Sequence, residues 1–249
     1  MNILLNGVGR IGKAIVRIAS KYPNINIVAI NEINPNIDNI AYGINYDSTY
    51  GRFDDKFFVE NKSIFNNNCK IQIFQEQDLS NINLKSLNVD LIIDASGALV
   101  DKNILESLDV KNIILTHPNK IAHINTVMGV NDEMVDFNQH KIISTSSCNA
   151  TALLPVLKIL DENVGIECGD IATIHPLLNH QKTLDSKCIG ATDRDVSCNF
   201  EFGRSATQNI IPSGTTTIEA CSLVNPKFNK DLISSNSFRV PTAIVGAIN

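Results

Sequence analysis

The chain has 249 residues, a net charge of −5, 43% hydrophobic and 19% charged residues, and no Trp. At roughly 100–200 residues per domain, this length fits one large domain or two small ones. The composition excludes disordered, collagen-like and coiled-coil chains. No apolar run approaches the roughly 20 residues that span a bilayer, and the negative charge argues against a nucleic acid or an anionic membrane as the main partner. The N-terminus lacks the pattern of a signal peptide.

Strand and helix patterns alternate through the first half of the chain. A short apolar run at residues 3–5 leads into a Gly-rich turn, and apolar residues recur at helical spacing over 13–22. Strand patterns follow at 24–32, 88–97, 110–118 and 141–147, with a helix pattern at 100–109. This βαβ alternation predicts an α/β fold of the Rossmann type, a doubly wound parallel sheet with helices on both faces. The Asn-rich residues 36–86 are less regular, with short antiparallel strands predicted at GRF, KFFVE and KIQIF.

The second half begins at Cys148 with a different pattern. We predict a helix over 148–163 with Pro155 inside it, a strand over 165–175, a helix over 215–224 and a strand over 237–248. Residues 180–208 are polar and irregular, which favours a functional loop. Because an apolar strand runs into the end of the chain, we expect this half to be an incomplete α+β domain.

The turn after the first strand fits the GxGxxG pattern of dinucleotide-binding loops. Gly7 permits a tight turn, Gly9 lets the backbone approach a pyrophosphate, and Gly12 lets the helix pack on the sheet. The helix N-terminus offers free N–H groups to the phosphates. Glu32 follows at the end of the second strand, where a carboxylate accepts hydrogen bonds from a ribose and repels a 2′-phosphate. The pattern therefore predicts NAD rather than NADP as the cofactor.

Cys148 stands out among the six cysteines because it lies where a strand gives way to a helix. A helix N-terminus beside a basic partner lowers the pKa of a thiol, and the thiolate is the nucleophile. His175 ends the next strand and is the candidate base, although a structural, hydrogen-bonded histidine fits the same spacing. The other histidines are predicted to be surface or loop residues: His117, His123, His140 and His180. The remaining cysteines suit neither a metal site nor a disulfide framework, which favours reduced thiols in a cytoplasmic protein.

Several motifs, in order along all 249 residues, resemble those of the phosphorylating glyceraldehyde-3-phosphate dehydrogenases: NGVGRIG, VAINE, NYDSTYGRF, STSSCNAT, ATIH, QNIIP and FRVPT. The resemblance implies an NAD-binding Rossmann domain over residues 1–147. It also implies a catalytic domain over 148–249, incomplete because the family runs roughly 80–90 residues further. A homotetramer and oxidation of glyceraldehyde 3-phosphate through a cysteine thiohemiacetal and thioester, with inorganic phosphate as acyl acceptor, are further implications.

The resemblance also carries roles onto matching positions. Cys148 matches the nucleophile and His175 the base. Matches to the cofactor-binding positions are Gly7, Gly9, Arg10, Ile11, Gly12, Glu32, Gln77, Ser96 and Thr116. Matches to the substrate-binding positions are Ser147, Asn149, Arg204, Thr215 and Arg239. No metal, nucleic-acid or membrane partner is implied.

Departures from the family pattern leave alternatives open. Leu178 replaces a phosphate-binding threonine, and Thr216 replaces a glycine after the IIP motif. An aliphatic side chain cannot donate to an oxyanion, which alters one phosphate subsite. The sequence also resembles erythrose-4-phosphate dehydrogenase, which favours water as the acyl acceptor. A non-catalytic NAD-binding module is a further hypothesis, and a cofactor-free cysteine hydrolase is a weaker one because of the glycine loop and Glu32.

Overall fold

A computed structural model describes residues 1–98, 101–186 and 203–249. The chain divides into two compact units, Met1–Ser147 and Cys148–Asn249, each with its own sheet. The division falls at the boundary predicted between residues 147 and 148. Part of the predicted loop over 180–208, namely residues 187–202, and the first residue of the predicted helix over 100–109 lie outside the described residues.

The first unit is built around a nine-stranded sheet with helices against it. Its helices are α1 (Arg10–Ala19), α2 (Ile37–Asn45) and α3 (Lys102–Ser107). The strands of this unit are β1 (Asn2–Asn6), β2 (Asn26–Asn31), β3 (Tyr46–Asp47), β4 (Gly51–Arg52), β5 (Phe58–Glu60), β6 (Ser63–Phe65), β7 (Lys70–Phe74), β8 (Leu91–Asp94), β9 (Asn112–Leu115), β10 (Ile124–Asn125) and β11 (Ile142–Ser144). Strands β3 and β4 pair with each other outside the nine-stranded sheet.

The strand order in this sheet is β10-β11-β9-β8-β1-β2-β7-β6-β5. Every neighbouring pair from β10 to β7 is parallel, and β6 and β5 extend the sheet antiparallel. The chain winds outward from β1 in both directions, so the order reverses beside β1. This is the doubly wound α/β topology predicted from the sequence, and it leaves a crevice at the carboxyl ends of the strands beside β1.

Alternate residues of the central strands supply two separate cores. Ile3 and Leu5 of β1 pack with Val16 of α1 and Ile44 of α2. Leu4, on the opposite face of the same strand, packs with residues from α3 and from a 3-10 helix at Leu79–Asn81. The prediction of helices on both faces is therefore confirmed. Helices are needed on each side because both faces of a parallel sheet are buried.

The Asn-rich region differs from its prediction in two ways. KIQIF forms β7, which is antiparallel to β6 but parallel to β2, so only part of the antiparallel prediction holds. The sequence analysis also missed α2, in which the side chain of Asn36 caps the helix by accepting a hydrogen bond from the Asn39 N–H. Asn has a low helix propensity, so tertiary burial of Ile40 and Ile44 decides this helix rather than local preference.

The second unit has a four-stranded sheet in the order β13-β14-β12-β15. Its elements are α4 (Cys148–Val164), β12 (Gly169–His175), β13 (Ile211–Ser213), α5 (Thr217–Val224), β14 (Ile233–Arg239) and β15 (Ala247–Ile248). The predicted strand over 237–248 is wrong as a single element, since β14 ends at Arg239 and β15 pairs separately with β12. Pro241 lies just beyond β14 and has no N–H for the ladder. Helix α4 runs through Pro155.

Among the described residues, no helix combines the length and apolarity needed to cross a membrane.

We predict that the core on the α3 side of the first sheet is sensitive to truncation at Leu4. This side chain is fully buried. Leu4→Ala should lower the free energy of unfolding by about 2–5 kcal/mol, because it removes buried methyl groups and leaves a cavity. Urea unfolding followed by circular dichroism measures the change. Met128→Ala is the control, because Met128 is 76% exposed and its truncation should change stability by less than about 0.5 kcal/mol. Equal effects of the two substitutions would contradict the assignment of the core.

Candidate active site

The glycine turn between β1 and α1 is shaped by close approaches of the backbone. Gly7 has a φ of +87°, and a side chain there would place its Cβ 2.5 Å from the Ser96 Cα. A Cβ on Gly12 would collide with the carbonyl oxygen of Gly7. A Cβ on Gly9 would meet nothing within 4 Å. Two glycines are therefore required by packing, while the backbone at Gly9 faces open space in which a ligand fits. This arrangement fits a pyrophosphate at the N-terminus of α1.

Glu32 lies directly beyond the carboxyl end of β2 and is held against this turn. Its Oε2 accepts a hydrogen bond from the Val8 N–H at 2.8 Å, and its Oε1 accepts one from the Asn34 N–H at 3.1 Å. These bonds fix the carboxylate and leave lone pairs for a hydroxyl donor. The predicted partnership of glycine turn and acid is thus present within the first unit.

The other predicted cofactor residues lie along the same edge of the sheet. Ser96 follows β8, and its Oγ donates to Asp94 Oδ1 at 2.7 Å. Thr116 follows β9, and its Oγ1 donates to the Asp94 carbonyl oxygen at 3.0 Å. Gln77 is exposed three residues beyond β7. Arg10 and Ile11 are exposed in the first turn of α1.

The second unit brings Cys148 and His175 together. Cys148 is the first residue of α4 and is exposed, and His175 is the last residue of β12. The Cys148 Sγ lies 3.8 Å from the His175 Nε2. The His175 Nδ1 lies 2.8 Å from the carbonyl oxygen of Pro176. A carbonyl oxygen can only accept, so Nδ1 carries the hydrogen and Nε2 faces the thiol as an acceptor. The imidazole is thereby oriented to take the thiol proton.

Burial sets the charge of this imidazole. His175 is half-buried, and desolvation lowers its pKa below the ordinary value of 6.5. The bond to the Pro176 carbonyl opposes that shift in pKa, and the positive charge of Arg239 adds to it. Near neutral pH the resting imidazole is therefore uncharged, as a general base requires.

Arg239 lies beside His175 because β12 and β14 are parallel neighbours and these two residues are paired across them. Its Nε and Nη1 atoms are buried and have no hydrogen-bond partner among the described residues. Burial lowers the pKa of Arg239, and the neighbouring Cys148 sulfur opposes this shift. A guanidinium whose buried N–H donors have no such partner is suited to bind an anion.

Hydroxyl and amide groups surround the start of α5. Asn149 Nδ2 donates to Thr217 Oγ1 at 3.2 Å, and Thr217 Oγ1 lies 2.6 Å from Thr215 Oγ1. The structure thus connects the predicted substrate residues Asn149 and Thr215 through Thr217, which the sequence analysis did not single out. The Thr217 N–H donates to Thr215 Oγ1 at 3.2 Å, which holds this hydroxyl group at the start of α5.

Other predictions in this region have mixed outcomes. Arg204 is exposed and pairs with Asp185, with 3.1 Å between Nη1 and Oδ2, so its predicted role on substrate stays a prediction. Ser147 is half-buried at the end of the first unit. The Leu178 N–H donates to Gln181 Oε1, so neither this side chain nor its amide offers a donor to an anion. His180, predicted to be a surface or loop residue, lies in a turn and is half-buried, and burial and the Arg239 charge lower its pKa.

The sequence analysis missed a group of buried polar residues at the carboxyl edge of the first sheet. Asp94 is fully buried at the end of β8, and Asn31 is buried at the end of β2. Ser146, just before the helix that starts at Cys148, has a φ of 61°, a left-handed conformation that is uncommon outside glycine. Asp94 and Asn31 are each a polar residue at the end of an apolar strand, and this pattern is the signal that could have revealed them. The backbone conformation of Ser146 cannot be predicted from the sequence pattern.

Comparison with known proteins agrees with this geometry. A family model for the glyceraldehyde 3-phosphate dehydrogenase NAD binding domain matches residues 1–102, and one for the C-terminal domain matches residues 147–249. Glyceraldehyde-3-phosphate dehydrogenase 1 of Kluyveromyces marxianus is 34% identical over 100% of this chain and 73% of its own length. Glyceraldehyde-3-phosphate dehydrogenase 3 of Saccharomyces cerevisiae is 35% identical with the same coverage. The enzyme of that name from Phytophthora infestans is 34% identical, again over 100% and 73%.

We predict that the imidazole at 175 controls the reactivity of the thiol. His175→Asn removes the acceptor at Nε2, so alkylation of Cys148 by iodoacetamide at pH 7 should slow by about tenfold or more. Because burial holds the pKa of His175 below 6.5, the difference should persist at pH 6.5 and fade only as falling pH protonates the imidazole.

Peptide mass spectrometry must follow this reaction, since Cys69 and Cys168 are also exposed. His117→Asn is the matched control, because His117 lies in the first unit beside Asn119 and should leave the rate unchanged. Equal rates in the wild type and the His175→Asn variant would show that the 3.8 Å contact has no chemical role.

Proposed function

The chain belongs to the glyceraldehyde-3-phosphate dehydrogenase family, and on that premise we propose that it oxidises glyceraldehyde 3-phosphate to 1,3-bisphosphoglycerate with NAD and inorganic phosphate. The reaction is the glycolytic one, and it runs in reverse in gluconeogenesis. The observation that carries the proposal is the contact between Cys148 Sγ and His175 Nε2, with the hydrogen of that imidazole fixed on Nδ1. The comparisons favour this reaction over an erythrose-4-phosphate dehydrogenase-like oxidation.

The first unit holds NAD at the carboxyl edge of its sheet. The N-terminus of α1 and the open space beside Gly9 suit the pyrophosphate. Glu32 accepts hydrogen bonds from the adenosine ribose, and its charge disfavours a 2′-phosphate. Ser96 and Thr116 present hydroxyls along the same edge. Gln77 contributes from the segment beyond β7. The chemistry that bound NAD supplies is acceptance of a hydride from the substrate carbon.

The second unit supplies the covalent chemistry. His175 Nε2 takes the proton of Cys148, and the resulting thiolate attacks the aldehyde carbon, forming a carbon–sulfur bond. The carbonyl oxygen gains the electron pair, and the backbone N–H of Cys148 at the start of α4 is positioned to stabilise that charge. The proton on His175 Nε2 passes to that oxygen, and the product is a thiohemiacetal on Sγ. After oxidation of that carbon, Cys148 carries the acyl group as a thioester until inorganic phosphate attacks it and the thiolate leaves.

Arg239 is the proposed ligand of a substrate phosphate. Its buried Nε and Nη1 donors have no partner among the described residues, which favours a bidentate anion in that place. Asn149, next to the thiol in the chain, is linked through Thr217 to Thr215, and Asn149 and Thr215 are the proposed neutral donors for the second anion, the attacking phosphate. Leu178 offers none, so this subsite depends on the hydroxyls and on the N-terminus of α5.

Assembly and location complete the proposal. We infer a homotetramer in the cytoplasm. Helix α1 exposes Ile11 and Ile18, and Tyr50 is 59% exposed, so the first unit presents apolar side chains for subunit contacts. The described cysteines Cys69, Cys148, Cys168 and Cys221 are free thiols, which is the state favoured in a reducing compartment.

Activity is tested by absorbance of NADH at 340 nm. The protein should form NADH when NAD, glyceraldehyde 3-phosphate and phosphate are all present, and Cys148→Ser should form none. Omission of phosphate should slow steady turnover, because the thioester then has no acyl acceptor. A rate that is independent of phosphate would point to water as the acceptor, as in the erythrose-4-phosphate dehydrogenases. NAD binding without NADH formation would overturn the catalytic proposal in favour of a binding module.

Arg239→Leu tests the substrate phosphate. We expect the KM for glyceraldehyde 3-phosphate to rise by about tenfold or more, because a charge-assisted bidentate contact is lost. Turnover of glyceraldehyde, which has no phosphate, should change much less. Arg204→Leu is the matched comparison, since Arg204 already pairs with Asp185. If Arg204→Leu gives the larger rise in KM, the phosphate ligand has been assigned to the wrong arginine.

A further inference from the structure

We propose that Asp94 is a positioning residue for the nicotinamide half of the cofactor, acting through Ser96. The inference rests on the proposed NAD-dependent function, and it concerns a buried carboxylate that the chemistry above does not use. Asp94 ends β8 beside β1, with no exposed surface. It therefore acts only through the side chains that it holds.

One oxygen of Asp94 gathers three donors. Its Oδ1 accepts from the Ser96 Oγ at 2.7 Å, the Ser96 N–H at 2.9 Å and the Asn6 Nδ2 at 3.2 Å. Two bonds to one residue fix both the backbone and the hydroxyl direction of Ser96.

The main chain of Asp94 orients the second hydroxyl. Its carbonyl oxygen accepts from the Thr116 N–H at 3.0 Å and from the Thr116 Oγ1 at 3.0 Å. This anchor is a main-chain oxygen that any residue at position 94 supplies, so the Asp94 side chain itself acts through its bonds to Ser96 and Asn6.

The network continues along the carboxyl edge of the sheet. Asn6 Oδ1 accepts from Asn31 Nδ2 at 2.8 Å. Asn31 in turn pairs with the backbone of Glu76, accepting from its N–H at 2.8 Å and donating to its carbonyl at 2.9 Å. Glu76 precedes Gln77, another predicted cofactor residue. One connected set of hydrogen bonds thus joins the ends of β8, β1 and β2 to the segment that follows β7.

Stability alone does not account for this carboxylate. Its Oδ2 is buried and has no hydrogen-bond partner among the described residues. A buried carboxyl oxygen without a partner opposes folding, and an apolar side chain of similar size avoids that cost. The contribution of the Asp94 side chain is therefore the placement of Ser96.

The strand order identifies which half of the cofactor responds. Glu32 and the glycine turn lie on the β1–β2 side and serve the adenosine half. Strands β8 and β9 lie on the other side of β1, where the second mononucleotide of a dinucleotide binds. The Asp94 side chain bonds directly to Ser96 and Asn6, so AMP, which lacks the nicotinamide half, should respond much less than NAD to its loss.

Calorimetric titration of the purified full chain with NAD and, separately, with AMP tests the inference. Asp94→Leu should weaken NAD binding by about tenfold and change AMP binding by less than about twofold. Asp94→Asn keeps an acceptor oxygen for Ser96 and should recover most of the NAD affinity. Asp90→Leu is the matched control: Asp90 accepts from the Asn2 N–H at the amino end of the sheet and should alter neither affinity.

Thermal unfolding is monitored for each variant. If Asp94→Leu does not fold, Asp94→Ser replaces it, and the same weakening of NAD binding is expected. Equal weakening of NAD and AMP, or unchanged NAD binding by a folded Asp94→Leu or Asp94→Ser variant, would overturn the positioning role. Absence of NAD binding by the wild type would instead remove the proposed function on which the inference rests.

Discussion

The contact between the Cys148 sulfur and the His175 imidazole is the interaction on which the chemistry depends. The orientation of the imidazole is fixed by its second nitrogen. The Nδ1 hydrogen is donated to the Pro176 carbonyl, so Nε2 faces the thiol. A single backbone carbonyl therefore decides which nitrogen can take the proton. Burial keeps the imidazole neutral until it does so, since desolvation lowers its pKa.

Both sheets place their functional groups where parallel strands end. In the second unit, the parallel register of β12 and β14 sets Arg239 beside His175, so a base and an anion ligand come from adjacent strand ends. In the first unit, Glu32, Ser96 and Thr116 each follow the carboxyl end of a strand. The peptide groups at that end are not all used by the ladder, and helices begin there with free N–H groups.

Buried polar groups with unused hydrogen-bonding capacity mark the sites in both units. Within the described parts of the chain, Arg239 has buried donors without partners, and Asp94 has a buried acceptor without one. Each opposes folding, and each lies beside residues that the family resemblance assigns to substrate or cofactor. Leu178 has the opposite character, because its amide is already bonded to Gln181 and its side chain is apolar. In the proposed mechanism, the affinity for the attacking phosphate therefore comes from the hydroxyls near α5.

The sequence by itself determined the features that are local or carried by motifs: the glycine turn, the acid at position 32, the helix beginning at Cys148 and the α/β alternation. It failed where tertiary packing overrode local preference, as in α2, whose Asn-rich segment is a helix because Ile40 and Ile44 are buried. It also joined β14 and β15 into one strand. Only the tertiary structure decided the distance between Cys148 and His175, which are 27 residues apart in the chain, and the convergence of Asn6, Ser96 and Thr116 on Asp94. Those contacts follow from the register of parallel strands, which depends on pairing between distant segments and leaves no periodic signal in either of them.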